Sequence, residues 1–283
     1  MVTTLTKTIR VGHSPDPDDA FMFYALAKAK IPMAGFRVEH IIEDIESLNQ
    51  RALKNELEVT AVSCHAYAHL ADHYVIMRAG SSVGDQYGPI LIARRGDTTA
   101  SIRGKRVAVP GKLTTAYLAL RLFEADFIPV FTPFDQIFDA VNSGHTDIGL
   151  VIHEGQITYE EKGFRKILDL GKWWHERTTL PLPLGLDVIR RDLGTQTVRD
   201  FARLFKASIE YALAHRPEAL EYALQFGRGI HLKLGDRFVG MYVNHHTVHF
   251  DKRCEDGLSR LLQEGHEKKI LPKQIIPEFV ELD

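Results

Sequence analysis

The chain has only two cysteines in 283 residues, Cys64 and Cys254, far apart and in no metal-binding spacing. That excludes a disulfide scaffold and points to free thiols in a reducing compartment. No apolar run approaches the roughly 18 residues of a membrane span, and the opening stretch Met1-Val2-Thr3-Thr4-Leu5-Thr6-Lys7-Thr8 lacks the apolar core of an export signal. A cytoplasmic protein without membrane insertion is expected. Excess charge is missing too: Lys plus Arg number 35 against 37 for Asp plus Glu, and the basic residues are scattered, so nucleic acid is not an expected partner. No Gly-x-Gly-x-x-Gly follows an expected strand, and Gly111-Lys112 lacks the upstream glycine of a phosphate-binding loop. Dinucleotide and nucleoside-triphosphate readings fall away.

What is present is an alternation of short apolar strands and helices long enough to bury a substantial core. Strands are expected at 8–12, Phe36–Ile42, Val59–Ser63, 74–78 and 89–94, with helices at 20–29 and after Glu43. The polar segment 96–104 reads as a passage to a second lobe, in which strands at Arg106–Val109, 127–131 and 150–152 alternate with helices. Leu180-Pro181-Leu182-Pro183-Leu184-Gly185 is stiff and extended and reads as the return. The expected organisation is α/β with two lobes: residues 1–95 with 186–283, whose last part is helical, and residues 96–185.

In open α/β sheets, ligands sit beyond the carboxyl ends of the strands. Three stretches occupy that position. Leu150-Val151-Ile152 ends abruptly at His153, placing an imidazole where a proton acceptor could act near neutral pH. Val59–Ser63 runs straight into a short helix, and Pro110-Gly111-Lys112-Leu113-Thr114-Thr115 leads into another. Hydroxyls and free N–H groups at such junctions suit an anionic ligand group. Asp16, Asp18 and Asp19 lack the glycine and terminal glutamate of a calcium loop. Adjacent Cys64 and His65 do not face one another on a helix, which argues against a thiol nucleophile. His245, His246 and His249 have no acidic ligand at helical spacing, so neither metal nor cofactor is expected.

Several stretches together resemble the 1,4-dihydroxy-6-naphthoate synthase family of the futalosine route to menaquinone. They are Ser14-Pro15-Asp16-Pro17-Asp18-Asp19-Ala20-Phe21, Glu43-Asp44-Ile45-Glu46-Ser47-Leu48-Asn49, Val109-Pro110-Gly111-Lys112-Leu113-Thr114-Thr115-Ala116-Tyr117, Ile152-His153-Glu154, Asp169-Leu170-Gly171-Lys172-Trp173-Trp174 and Leu180-Pro181-Leu182-Pro183-Leu184-Gly185. The resemblance implies a periplasmic-binding-protein-like (type II) fold with two inter-lobe crossings, monomeric or homodimeric. It also implies a carbon–carbon lyase that converts cyclic dehypoxanthine futalosine to 1,4-dihydroxy-6-naphthoate. In that family pattern His153 matches the general base, while Ala61, Val62, Ser63, Thr114 and Thr115 match segments that contact a small carboxylate substrate. Asp16 and Asp18 fall in a loop where the family varies. Two rivals share the fold: a chorismate dehydratase of the same pathway and a cytoplasmic small-carboxylate binding protein.

Overall fold

The computed structural model describes residues 6–226 and 231–282. The first five residues, part of the stretch that bears on an export signal, lie outside that range. In the first sheet β1 (Lys7–His13) pairs in parallel with β2 (Phe36–Ile42) and β3 (Val59–Ser63). Parallel neighbours require crossovers, supplied by α1 (Pro17–Ala27) and α2 (Ile45–Leu53). The short α3 (Cys64–Tyr67), β4 (Tyr74–Ile76) and β5 (Ser82–Gly84) end this first visit.

The chain next builds a second sheet from β6 (Ile90–Arg94), β7 (Arg106–Val109), α4 (Thr115–Phe123), β8 (Ile128–Phe131), α5 (Ile137–Asn142), β9 (Ile148–Val151), α6 (Gly155–Thr158), β10 (Phe164–Asp169) and α7 (Leu170–Thr178). It returns through β11 (Leu182–Arg190), antiparallel to β3, β4 and β5. Helices α8 (Thr195–Ala214), α9 (Arg216–Leu224), α10 (Leu232–Tyr242), α11 (His245–Val248) and α12 (Lys252–Glu267) follow. The strand orders are β2-β1-β3-β11-β4, with β5 also on β11, and β10-β6-β9-β7-β8.

This pairing moves both expected crossings. β6 bonds to β9 and β10, so residues 90–94 belong to the second sheet and the chain changes sheets at 85–89 rather than at 96–104. Leu182 and Gly185 already pair with β5, and Gly185 with Ser63 of β3, so the return is complete before the second proline. An apolar run such as Ile90 to Ala93 suits either sheet; its long-range partner decides, and periodicity does not encode the partner. The 96–104 segment is instead a loop within the second lobe, held by Arg165, which donates to the Asp97 and Thr99 carbonyls at 2.5 Å each.

The lobes share apolar core. Leu258, Leu261 and Leu262 of α12 fall in one buried cluster with Leu118 and Leu122 of α4, Leu150 of β9, and Val62 and Leu186 of the first sheet. α12, expected to belong to the first lobe, is therefore a brace across both. Trp174 of α7 is fully buried in the same cluster and donates from Nε1 to the Pro181 carbonyl at 3.0 Å, pinning the return crossing. The outgoing crossing is pinned by close backbone approach: a Cβ at Gly171 would overlap the Tyr87 carbonyl oxygen, and the backbone atoms of Gly88 and Gly171 lie side by side. A backbone obstacle cannot rotate away, so Gly171→Ala is expected to cost about 1–3 kcal/mol. Urea unfolding of the variant beside the wild-type chain measures it, and equal midpoints would show that the crossing tolerates displacement.

Candidate active site

Both sheets turn the carboxyl ends of their parallel strands toward one cavity, which encloses an empty space of about 720 Å³ including its open mouth. That size suits a small molecule. Ala61 and Ser63 of β3, Thr114 and Thr115 at the start of α4, and His153 after β9 all line it. Val62 does not. Side chains alternate along a strand, so between two cavity-facing neighbours Val62 points into the apolar core.

His153 is held by two constraints. Its backbone has φ 56°, a left-handed conformation uncommon outside glycine, which ends β9 and turns the imidazole sideways. The ring lies edge-on to Phe134 at a centroid distance of 5.1 Å. From the other lobe Asp16 reaches its Nδ1 at 3.0 Å. Asp16 Oδ2 also accepts the Ser14 hydroxyl at 2.8 Å and is almost wholly buried. A carboxylate on Nδ1 fixes the tautomer with the proton there and leaves the Nε2 lone pair available. The other buried histidines in this region are differently placed. Burial foremost, reinforced by His40, pushes His13 down to about 4, and burial pushes His65 down to about 4. Burial also pushes the Cys64 thiol up to about 12, which leaves it a poor nucleophile at neutral pH.

The expected anion cradle at Ser63 is only partly available. The Ser63 N–H donates to Asn49 Oδ1 at 2.9 Å and the Cys64 N–H to Thr115 Oγ1 at 2.8 Å, so these backbone donors are already used. Ser63 Oγ accepts from Asn49 Nδ2 at 3.2 Å and keeps its own proton to donate. Thr114 caps α4 by accepting the Tyr117 N–H at 3.2 Å while donating to the Gly111 carbonyl at 2.9 Å. The nine-residue α4 opens on the cavity at Thr115 and Ala116, so its partial positive end faces the ligand space. No lysine or arginine is among the lining residues.

The opposite wall is acidic. Asp18, Asp19 and Asp187 line the cavity. Burial foremost and then neighbouring carboxylates hold Asp18 and Asp187 well above the usual range. Burial foremost, with Asp16 nearby, lifts Asp19 to about 6 despite the Ser14 N–H that Asp19 accepts at 2.7 Å. Gln156 and Tyr242, hydrogen-bonded to each other at 2.7 Å, complete this side. From the sequence, Asp18 and Asp19 are weighed only as part of a calcium loop, and Asp187, Gln156 and Tyr242 are not singled out, although the rim rule that selects Ser63 and His153 applies equally to the 14–19 loop after β1. An acid inside the apolar run Leu186-Asp187-Val188-Ile189 was a further visible signal. Away from the cavity, His245, His246 and Asp251 bring one potential metal-ligand atom each within 4.8 Å of one another. The acidic group missing from helical spacing thus arrives from the start of α12, whereas His249 is not part of this trio.

The comparisons with known proteins fall on this frame. The model of the menaquinone biosynthesis family matches residues 9–267. The chain belongs to that family. It is 38% identical over 274 residues to a protein of Thermus thermophilus named 1,4-dihydroxy-6-naphtoate synthase, covering 97% of this chain and all of the relative. A crystal structure of protein AF1704 from Archaeoglobus fulgidus superposes with a TM-score of 0.89 at 46% identity, over 95% of this chain and all of that one. The alkanesulfonate-binding protein SsuA of Xanthomonas axonopodis pv. citri, solved bound to MOPS, shares the fold at a TM-score of 0.71 and 13% identity, over 95% of this chain and 96% of that one. The fold is therefore that of periplasmic binding proteins, as the resemblance implied.

The raised carboxyls have a consequence for stability. A carboxyl with a raised folded pKa contributes stability below its unfolded pKa near 4 and loses that contribution as pH rises through the folded value. Asp19, at about 6, places one such loss between pH ~4 and ~6. Asp187→Asn removes a buried acid that ionises only at a cost, so at pH 8 the variant is expected to be about 1–2 kcal/mol more stable than wild type. The gain should shrink at pH 4. Melting curves at the two pH values check the sign, and a variant less stable at pH 8 would mean that the carboxyl has a compensating partner.

Proposed function

We propose that this chain is a 1,4-dihydroxy-6-naphthoate synthase. In this reading it is a cytoplasmic carbon–carbon lyase that converts cyclic dehypoxanthine futalosine to 1,4-dihydroxy-6-naphthoate and releases the sugar-derived carbons as a small polyol ketone. Family membership and the name of the Thermus relative support the pathway. The observation that carries the chemistry is the His153–Asp16 pair, 3.0 Å apart, inside a cavity with a helix N-terminus on the other side.

Cleavage of the retro-aldol kind needs a base for a hydroxyl or carbon proton and an environment that tolerates the enolate charge left behind. His153 Nε2 is that base, and Asp16 stabilises the imidazolium that forms. Tyr242 and Gln156 offer neutral hydrogen-bond donors to developing charge. Ser63, Thr114, Thr115 and the start of α4 receive the aromatic carboxylate, with Ala61 as apolar floor. Closure of the lobes keeps water from the reacting carbons. A binding protein of the same fold needs the carboxylate site but not the base, and a chorismate dehydratase would take a different carboxylate. Incubating purified chain with cyclic dehypoxanthine futalosine and chorismate, each followed by chromatography, separates the three.

Loss of a general base costs about 10²–10⁴ in rate, so His153→Asn is expected to lower kcat at least about a hundredfold with ligand binding kept. Asp16→Asn should lower it nearly as much, because the amide no longer selects the tautomer. The double variant should be hardly worse than either single one, since the two act as one unit. Near-additive losses in steady-state kinetics would separate Asp16 from the base. Ser63→Ala and Thr114→Ala should instead raise KM more than they lower kcat, as expected for groups that hold ground and transition states alike. A purely kcat effect would move them into the chemistry.

A further inference from the structure

We propose that the carboxyls of Asp18 and Asp187 form a hydroxyl-binding subsite of this cavity that takes adjacent hydroxyls of the sugar-derived part of the ligand. The inference rests on the carboxylate-ligand reading above and adds an orientation to it. Asp187 projects from β11 and is 1% exposed; Asp18 lies in the first turn of α1 and is 7% exposed. Both residues line the cavity, yet among the described residues Asp18 Oδ1 and Asp187 Oδ1 have no hydrogen-bond partner. Buried polar atoms are nearly always paired, so two orphans facing one cavity point to a group that arrives with the ligand.

The room for the Asp187 carboxyl is built in. At Gly80, with φ 100°, a Cβ would overlap Asp187 Oδ2, so the glycine both permits the backbone turn and keeps the carboxyl in place. Among the described residues no lysine or arginine lines the cavity to serve as the missing partner. An anion does not fit either, since three carboxyls crowd this wall. Hydroxyls meet the requirement: each donates to an orphan oxygen and can accept from a carboxyl that carries a proton. Burial and mutual repulsion, which hold both acids well above the usual range, favour that protonated form. A ligand carboxylate is then driven to the opposite wall, at Ser63, Thr114 and the start of α4. The sugar-derived portion lies toward the loop that carries Asp16, the partner of the base.

Titration calorimetry of the full chain at pH 7 tests this with three probes: 3-hydroxybenzoate, the β-D-ribofuranoside of its phenol, and the 2,3-dideoxy form of that riboside. In the wild-type chain the riboside is expected to bind about tenfold more tightly than the dideoxy form, the worth of one or two net hydrogen bonds. Asp187→Ala and Asp18→Ala should abolish that difference while leaving 3-hydroxybenzoate affinity within about twofold. The wild-type comparison needs no variant, so misfolding of either variant leaves the inference testable. Equal binding of riboside and dideoxy form by the wild type would overturn the subsite while leaving the carboxylate reading intact. Tighter binding of 3-(aminomethyl)benzoate than of the riboside would also overturn it, in favour of an ammonium subsite. Failure of 3-hydroxybenzoate and both ribosides to bind would instead bring down the underlying reading and the subsite with it.

Discussion

One apolar core runs through both lobes, and the chemistry depends on it. Because Val62 and Leu186 share a cluster with Val107, Leu150 and the leucines of α12, the two strand rims are held against each other around the cavity. Polar groups there must pair across the gap. The Leu113 N–H donates to Glu46 Oε2 at 3.1 Å, the Cys64 N–H to Thr115, and Asp16 meets His153. Each joins an element of the first sheet to one of the second. Any rotation of the two lobes as rigid bodies about the crossings would have to break these bonds and slide α12 against α4. Separating the two rims would also part the Asp16–His153 pair, whose members stand on different lobes.

The same burial concentrates electrostatic cost on one wall. Three carboxyls buried without a cation oppose folding at neutral pH, and such a conflict between local chemistry and stability is expected where function needs it. The opposite wall costs less, because its helix end and hydroxyls are satisfied internally: Thr114 bonds within its own turn and Thr115 to the Leu184 carbonyl at 2.5 Å. The cavity is thus polarised before any ligand enters. A molecule with a carboxylate at one end and hydroxyls at the other has one favourable orientation in it, and preorganisation of that kind lowers the entropy lost on binding.

How much of this was legible in the sequence depends on whether the information is local. Rim positions are local: a strand that stops at His153 or Ser63 can be seen in a short window, and both lie in the cavity. Alternation is local too, and applied to Val59–Ser63 it would have set Val62 apart from Ala61 and Ser63. Pairing is not local. Nothing within Ile90 to Ala93 reveals that β9 and β10 are its neighbours, so the first crossing was placed beyond β6 instead of before it. Asp16 illustrates the same limit. Its partner His153 is far along the chain, and three acids around prolines suggest at most a failed calcium loop until the carboxyl ends of β1 and β9 are brought together. The 14–19 loop carries the resemblance, yet its role could not be inferred without that juxtaposition.

One fold neighbour, the alkanesulfonate-binding protein SsuA, was solved bound to MOPS. In the proposed reading, catalysis on this scaffold requires a proton acceptor whose protonation is not suppressed by enclosure. Full burial would suppress it, as it does for His13 and His65, whose charged forms are disfavoured down to about pH 4. His153 differs in its setting: its side chain is 18% exposed and its Nδ1 meets the buried Asp16 carboxyl at 3.0 Å. The positive φ at this residue and the placement of Asp16 on the other lobe bring the two side chains together. An imidazole continuing straight out of β9 would have no constraint turning it sideways toward Asp16, and the contact between the two lobes at this point would be lost.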